Sequence, residues 1–502
     1  MGRTHVRQPQ STHPLVRVRR ERKRFEWLPF GRGRAGGGRS STEPRGPVTR
    51  RPWQVPSRDV SVAVLSGGAT LAVYSIGAGR TYDYDSSWTV GTFVATRSLL
   101  DPFRRQAVFN NHPLFSFLEH LVYSSGARGE AALRVLPLVF GAAAVALVAG
   151  WTSRHWGPVA ALSGGAVLAA NPTYAELSRS VRGYSLVTFS AVCSTILLTR
   201  LMRRDEWRSS IGYVVVAAAG IATHLYALFP FAAQAVVVVM HRQVNRRWVA
   251  RFMFALVVGA LAYVRIGERM FVSTRREVHH FRPRFPLDLA RALLGGSSGV
   301  AILVAVLFLL GLATLPRRDS TIVLATVASL AGVVWLWLQP VDLYPRFFVW
   351  AVAAVAVTVS VAVARWPAAV VLVIPAVAIM ALGDARHWTQ DPLPDRQAAR
   401  LVDAVRARGR PPCVLPWVRG SLLAYTAAPR EVTRPSELSD CDLVLGVLND
   451  SRTLRHRARS EFDHEWSLPA RTPILVYSRL SQSTLTQHRP ARARRHPRLT
   501  SL

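Results

Sequence analysis

Apolar residues in this chain come in long blocks, separated by short polar or basic breaks. The blocks run over 60–79, 131–150, 159–170, 184–201, 211–240, 249–266, 299–315, 321–338, 347–364 and 368–382. At 1.5 Å of rise per residue, most are long enough to cross a hydrocarbon layer about 30 Å thick. A soluble protein seldom repeats such stretches, so the pattern predicts an α-helical polytopic membrane protein. The block 211–240 is long for one span and short for two. The loop after it carries Arg242, Arg246 and Arg247, and basic short loops mark the cytoplasmic side. Two short passes therefore fit best, with a break near Thr223-His224-Leu225-Tyr226. Counted this way the chain has about eleven spans. The N-terminus is then inside, and the loop 80–130 and everything after about residue 383 are outside. The outer loop 268–298 is itself basic, which runs against the rule.

Past residue 382 the pattern changes. Ala398, Leu401, Val402 and Val405 recur at helical spacing within 395–408. Short apolar runs at 413–415, 443–448 and 474–477 read as buried strands. The expected organisation is a basic disordered arm over 1–58 and a transmembrane domain over 59–382. A small extracytoplasmic α/β domain follows over 383–486, then a basic disordered tail over 487–502.

Charge changes the picture less than its size suggests. The 502 residues carry a formal net charge of +34, which invites a nucleic-acid reading. Much of it lies in the arm, with Arg17, Arg19, Arg20, Arg22, Lys23, Arg24, Arg50 and Arg51, and the rest in loops and the tail. That distribution suits anionic headgroups and argues against nucleic acid. Arginine is used almost to the exclusion of lysine, as in a GC-rich bacterial genome, so the expected location is a bacterial plasma (inner) membrane. The arm is too long and basic for a cleavable signal. Cys193 falls inside an apolar block, whereas Cys413 and Cys441 share the last domain and can pair if it faces an oxidising compartment.

Candidate chemistry gathers at the outer ends of the spans. Asp83 and Asp85 alternate with tyrosines in Tyr82-Asp83-Tyr84-Asp85. In an extended segment both carboxylates share a face and suit a general base or a divalent-cation ligand pair. Equally, Asp85 or Ser86 is a fitting cap for a helix over 87–100. Asn111-His112-Pro113 precedes the amphipathic run Leu114, Phe115, Phe117, Leu118, Leu121 and Val122, which reads as a surface helix or as one wall of the same pocket. Arg179, Arg182 and Tyr184, and later Tyr344-Pro345-Arg346, sit at outer mouths of spans, where arginine either grips a phosphate or snorkels to headgroups. His224, amid apolar residues, is by default a packed histidine.

As an ordered set these segments resemble the GT-C-fold, polyprenyl-phosphate-sugar-dependent glycosyltransferases, the superfamily of protein O-mannosyltransferases and aminoarabinose transferases. Tyr84-Asp85-Ser86-Ser87-Trp88 stands where that family has its first-loop acidic motif, and Asn111-His112-Pro113-Leu114 where it has a His-Pro-Pro-Leu-like segment. Ala132-Leu133-Arg134 then leads to Pro137. Further on, Ser180-Val181-Arg182-Gly183-Tyr184, Thr223-His224-Leu225-Tyr226 and Tyr344-Pro345-Arg346 occupy the remaining motif positions. The resemblance implies transfer of a sugar from a polyprenyl phosphate to an envelope glycan, lipid or protein, with inversion. It implies Asp85 as base, assisted by Asp83. Arg182 and Arg346 would clamp the phosphate, and Asn111, His112, Tyr184 and His224 would bind donor or acceptor. A divalent cation, Mg or Mn, would sit on Asp83 and Asp85 if anywhere. Two positions depart from the family: Ser86 and Ser180 stand where acids are expected. A transporter or flippase is disfavoured, because no internal repeat is evident and the acids lie at the surface. A non-catalytic envelope assembly protein of the same fold stays open.

Overall fold

The computed structural model describes residues 58–105, 112–267, 283–315, 343–388, 394–426, 429–447, 451–468 and 473–480, with single positions at 333, 337, 482 and 485. The arm, Asn111, most of the block 321–338 and the tail lie outside the described residues, as do most of the loop 268–298 and the end of the last domain.

Helices occupy the described apolar blocks. Arg58–Ser75, Val135–Trp156, Pro158–Ala170, Tyr184–Arg203, Arg246–Ala260, Ser298–Thr314, Val352–Arg365 and Val370–Trp388 match the expected spans within a few residues. Among the described residues, four helices are long and apolar enough to cross a membrane, or five if Phe285–Leu294 and Ser298–Thr314, bent by 73°, count as one span. Pro158–Ala170 and Leu225–Met240 are shorter apolar helices, so any count near eleven has to include short passes. The protein is a multi-pass, mostly helical membrane protein with a small sheet near its C-terminus.

The ambiguous block 211–240 is two helices, Trp207–Thr223 and Leu228–Met240, broken where the sequence suggested. His224 breaks it. Its backbone is extended, and its Nδ1 accepts a hydrogen bond from the Tyr226 amide at 3.1 Å, capping the single turn Leu225–Ala227. Helices elsewhere approach closely over small residues, as membrane helices do. A Cβ at Gly311 would lie 2.0 Å from the Thr358 carbonyl oxygen, so no larger residue fits there.

The last helix runs to Trp388, past the expected boundary at 382. Buried Asp384 explains the extra turn, because an ion pair to Arg179 holds that end of the helix inside the protein. Beyond it lies an α/β domain with β1 (Pro412–Val414), β2 (Arg430–Glu431), β3 (Leu443–Gly446), β4 (His464–Leu468) and β5 (Ile474–Ser478). The strand order is β2-β1-β3-β5-β4. β1 pairs in parallel with β2 and β3, and β5 pairs antiparallel with β3 and β4. Val402, Val405 and Leu422, from helices Asp395–Ala407 and Pro416–Leu422, pack with Leu443, Leu445 and Val476 on one face. Leu454 and Ala458, from helix Arg452–Glu461, cover Cys413, Val444 and Tyr477 on the other. Cys413 and Cys441 form a disulfide.

Candidate active site

A buried arginine lattice fixes where the first helix hands over to its loop. Arg134, fully buried, donates to the carbonyl oxygens of Ala78, Arg80, Thr81 and Arg179 at 2.5–3.1 Å. Arg179 bonds the Asp384 carboxylate at 2.5 Å and the carbonyls of Val73 and Tyr74 at 3.2 Å. The planar fork of arginine holds several carbonyls at once without leaving a buried charge bare. Sequence reasoning gave Arg134 no role, although it stood within a noted motif.

The two aspartates part company. Tyr84–Thr89 is helical rather than extended, so the carboxylates do not share a face. Asp83 is the N-cap: its carboxylate accepts from the Ser86 amide at 2.9 Å and the Ser86 hydroxyl at 2.8 Å. The cap is thus Asp83, neither Asp85 nor Ser86. The expected helix over 87–100 is instead this short helix followed by a wide π-type turn, Val90–Val94.

Ser86 and Ser180, where the family pattern has acids, meet hydroxyl to hydroxyl at 2.9 Å. Ser86 also accepts from the Val181 amide at 3.0 Å, and Ser180 reaches Asp83 at 3.4 Å. The two departures from the pattern form one neutral contact that joins the first loop to the turn before Tyr184.

Asp85, released from the cap, points to the arginines. One oxygen pairs with Arg182 at 3.2 Å and the other with Arg346. Its side chain keeps 24% of its surface exposed, so the carboxylate lies at an opening. Arg182 Nε donates to His112 Nε2 at 3.1 Å. His112 makes an edge contact with Tyr184 and lies 4.7 Å, ring to ring, from His224. The Tyr226 ring stacks on Phe347 at 4.7 Å. Burial, reinforced by Arg182, His224 and Arg346, holds the His112 pKa well below its usual value. His112 is therefore a neutral acceptor. The structure brings Asp85, His112, Arg182, Tyr184, His224 and Arg346 together; Asp83 supports them from the cap, two residues before Asp85.

The α/β domain reaches the same helix. Tyr82 N donates to the Tyr425 hydroxyl at 2.7 Å, the Ser87 hydroxyl bonds the Ser421 carbonyl, and the Ala424 amide donates to Ser87 at 3.3 Å. Gly91 is required here, since a Cβ would lie 2.5 Å from the Leu423 side chain. None of these partners was visible in the sequence.

These carboxylates do not suit a divalent cation. Mg or Mn needs several converging oxygens, whereas both Asp85 oxygens face guanidiniums and Asp83 is held in its cap. Among the described residues no three His, Cys, Asp or Glu side chains converge as a metal site.

The architecture is that of the GT-C fold of membrane glycosyltransferases. The chain is similar to the aminoarabinose transferase ArnT from Cupriavidus metallidurans in the apo state, with a TM-score of 0.55 and 13% identity over 83% of this chain and 97% of that one. It is similar to the same protein bound to undecaprenyl phosphate, with a TM-score of 0.53 and 14% identity over 84% and 99%. No protein-family model and no curated protein matches the sequence.

Proposed function

We propose that the chain is a glycosyltransferase that moves a sugar from a polyprenyl phosphate to an envelope glycan, lipid or protein on the outer face of a bacterial plasma membrane. The observation that carries this is Asp85, partly open to solvent and held by Arg182 and Arg346 beside a wall of His112, Tyr184 and His224. Such a site supplies what transfer from a lipid phosphate needs: cationic donors for the departing phosphate and a base for the incoming hydroxyl. The acceptor oxygen bonds to the anomeric carbon as the bond from that carbon to the phosphate oxygen breaks. The acceptor proton passes to Asp85, and the polyprenyl phosphate leaves with its charge on the two arginines. Attack opposite the leaving group inverts the anomeric centre.

Each arginine then has two partners in turn. With no donor bound, both hold Asp85; an arriving phosphate competes for the same guanidiniums and frees the carboxylate for the acceptor. The undecaprenyl phosphate bound to the similar ArnT supports this donor class. The disulfide supports an oxidising, outward location for the α/β domain.

Purified protein in lipid, offered a panel of polyprenyl-phosphate sugars with and without EDTA, tests the proposal. Turnover of one donor, unaffected by EDTA, is expected. Neither binding nor turnover across the panel would overturn it in favour of a non-catalytic assembly role.

A further inference from the structure

The face of the α/β domain turned away from Tyr84–Thr89 carries a polar cavity of about 230 Å³, lined by Arg452, Arg455, His456, Arg459 and Tyr477. Four of these lie on helix Arg452–Glu461 at spacings i, i+3, i+4 and i+7, so they share one stripe. The opposite stripe, Leu454 and Ala458, is buried against the sheet. Like charges at such spacings repel and cost helix stability. This helix nonetheless gathers three arginines and a histidine over one hollow.

The hollow is also ordered. Glu465 grips Arg459 through Nε and Nη2, both at 2.7 Å, which uses two of the five guanidinium N–H donors and fixes the plane of the rest. Tyr477, one per cent exposed and paired in register with Glu465, lies beneath. Arg452, His456 and Arg459 are exposed at the rim. Arg457, on the same helix, does not line the hollow and pairs with Glu461.

We propose that this cavity binds a compact phosphate-type anion, carried either by a glycan or by a lipid headgroup. A cluster of guanidiniums in a hollow is the donor set such an anion prefers. Helix Pro416–Leu422, which touches Tyr84–Thr89, lies on the opposite face of the sheet, so the site is distinct from the one at Asp85 and stands whether or not the transferase reading holds.

The test uses the full chain in nanodiscs of neutral phosphatidylcholine, titrated with inorganic phosphate and glucose 6-phosphate, with glucose as the uncharged control. Both anions should bind and glucose should not. Arg452→Ala, at an exposed position, should weaken binding about tenfold, the worth of one charged hydrogen bond. Arg455→Lys, which keeps the charge and loses the fork, should weaken it less. Arg457→Ala removes the same charge from the same helix and should change affinity less than about twofold. Equal losses from Arg452→Ala and Arg457→Ala would overturn the proposal in favour of diffuse attraction to a basic chain, and absence of anion binding would overturn it outright. Discs containing phosphatidylglycerol separate the sources. Competition with soluble phosphate identifies a headgroup; unchanged binding with glucose 6-phosphate preferred identifies a glycan.

Discussion

Asp85 sits between two guanidiniums, so a substitution there separates charge from shape. Asp85→Asn keeps the volume but removes the base, the counter-charge of Arg182 and Arg346, and one of the two acceptor oxygens that face them. Sugar transfer should fall by roughly 10²–10⁴, the worth of a general base. Donor binding should hold or tighten, because the arginines no longer choose between Asp85 and the phosphate. Single-turnover transfer and donor titration on the same preparation check both halves, and a variant with normal turnover would remove Asp85 from the mechanism. Glu119 gives a second test at this scale. It is fully buried in helix Pro113–Ser124, neither carboxylate oxygen has a hydrogen-bond partner among the described residues, and burial raises its pKa well above 4.5. A raised folded pKa gives stability that is complete below the unfolded value and lost as pH climbs through the folded one. Glu119→Gln should therefore melt close to the parent at pH 4. At pH 8 it should be the more stable of the two, because the parent then either ionises a buried carboxyl or holds it protonated against the pH. A parent with no pH-dependent deficit relative to the variant would contradict this.

The short helix Tyr84–Thr89 is the element on which the site turns, and its surroundings explain what the sequence could and could not reveal. The break at His224 was legible because one apolar block was too long for one pass and too short for two comfortable ones. The alternating Tyr-Asp-Tyr-Asp left an extended segment and a helix cap both open, and the bond from the Ser86 amide to the Asp83 carboxylate decides for a helix. The Ser86–Ser180 contact spans 94 residues of chain, and nothing in local spacing announces such a pairing. Helix Arg452–Glu461 escaped because only Leu454 and Ala458 mark its buried stripe, and β4 because most of its residues are exposed. The wide turn Val90–Val94 brings Gly91 against Leu423. Gly91→Ala should push the α/β domain off the capped helix. The expected outcome is loss of transfer together with faster proteolytic release of a C-terminal fragment, while the membrane helices stay intact. A fully active, protease-resistant variant would mean that this docking does not matter to the site.

Across the whole molecule, the candidate site is a meeting of segments far apart in sequence. Asp85 comes from the first loop, Arg182 and Tyr184 from the start of one span, His224 from a helix break, and Arg346 from the mouth of another span. The α/β domain braces the loop through Tyr425, Ser421 and Ala424. Stability of that domain should therefore be felt at Asp85. The Cys413–Cys441 disulfide closes a 28-residue separation and ties β1 to the turn Pro435–Asp440, which ends at Cys441. A loop of that length contributes roughly 3–4 kcal/mol by the chain-entropy estimate, a large part of what a small domain has. In a Cys193→Ser background, which removes the free cysteine, Cys413→Ser with Cys441→Ser should lower the melting transition of the α/β domain. Sugar transfer should fall in step with domain unfolding rather than at the temperature where the membrane helices melt. The same background tests orientation. With the buried disulfide left intact, Arg457→Cys introduces one exposed thiol, which an impermeant maleimide should label in intact cells if the domain faces outward. Labelling only after the cells are broken would turn the domain, and the site it braces, to the cytoplasmic side.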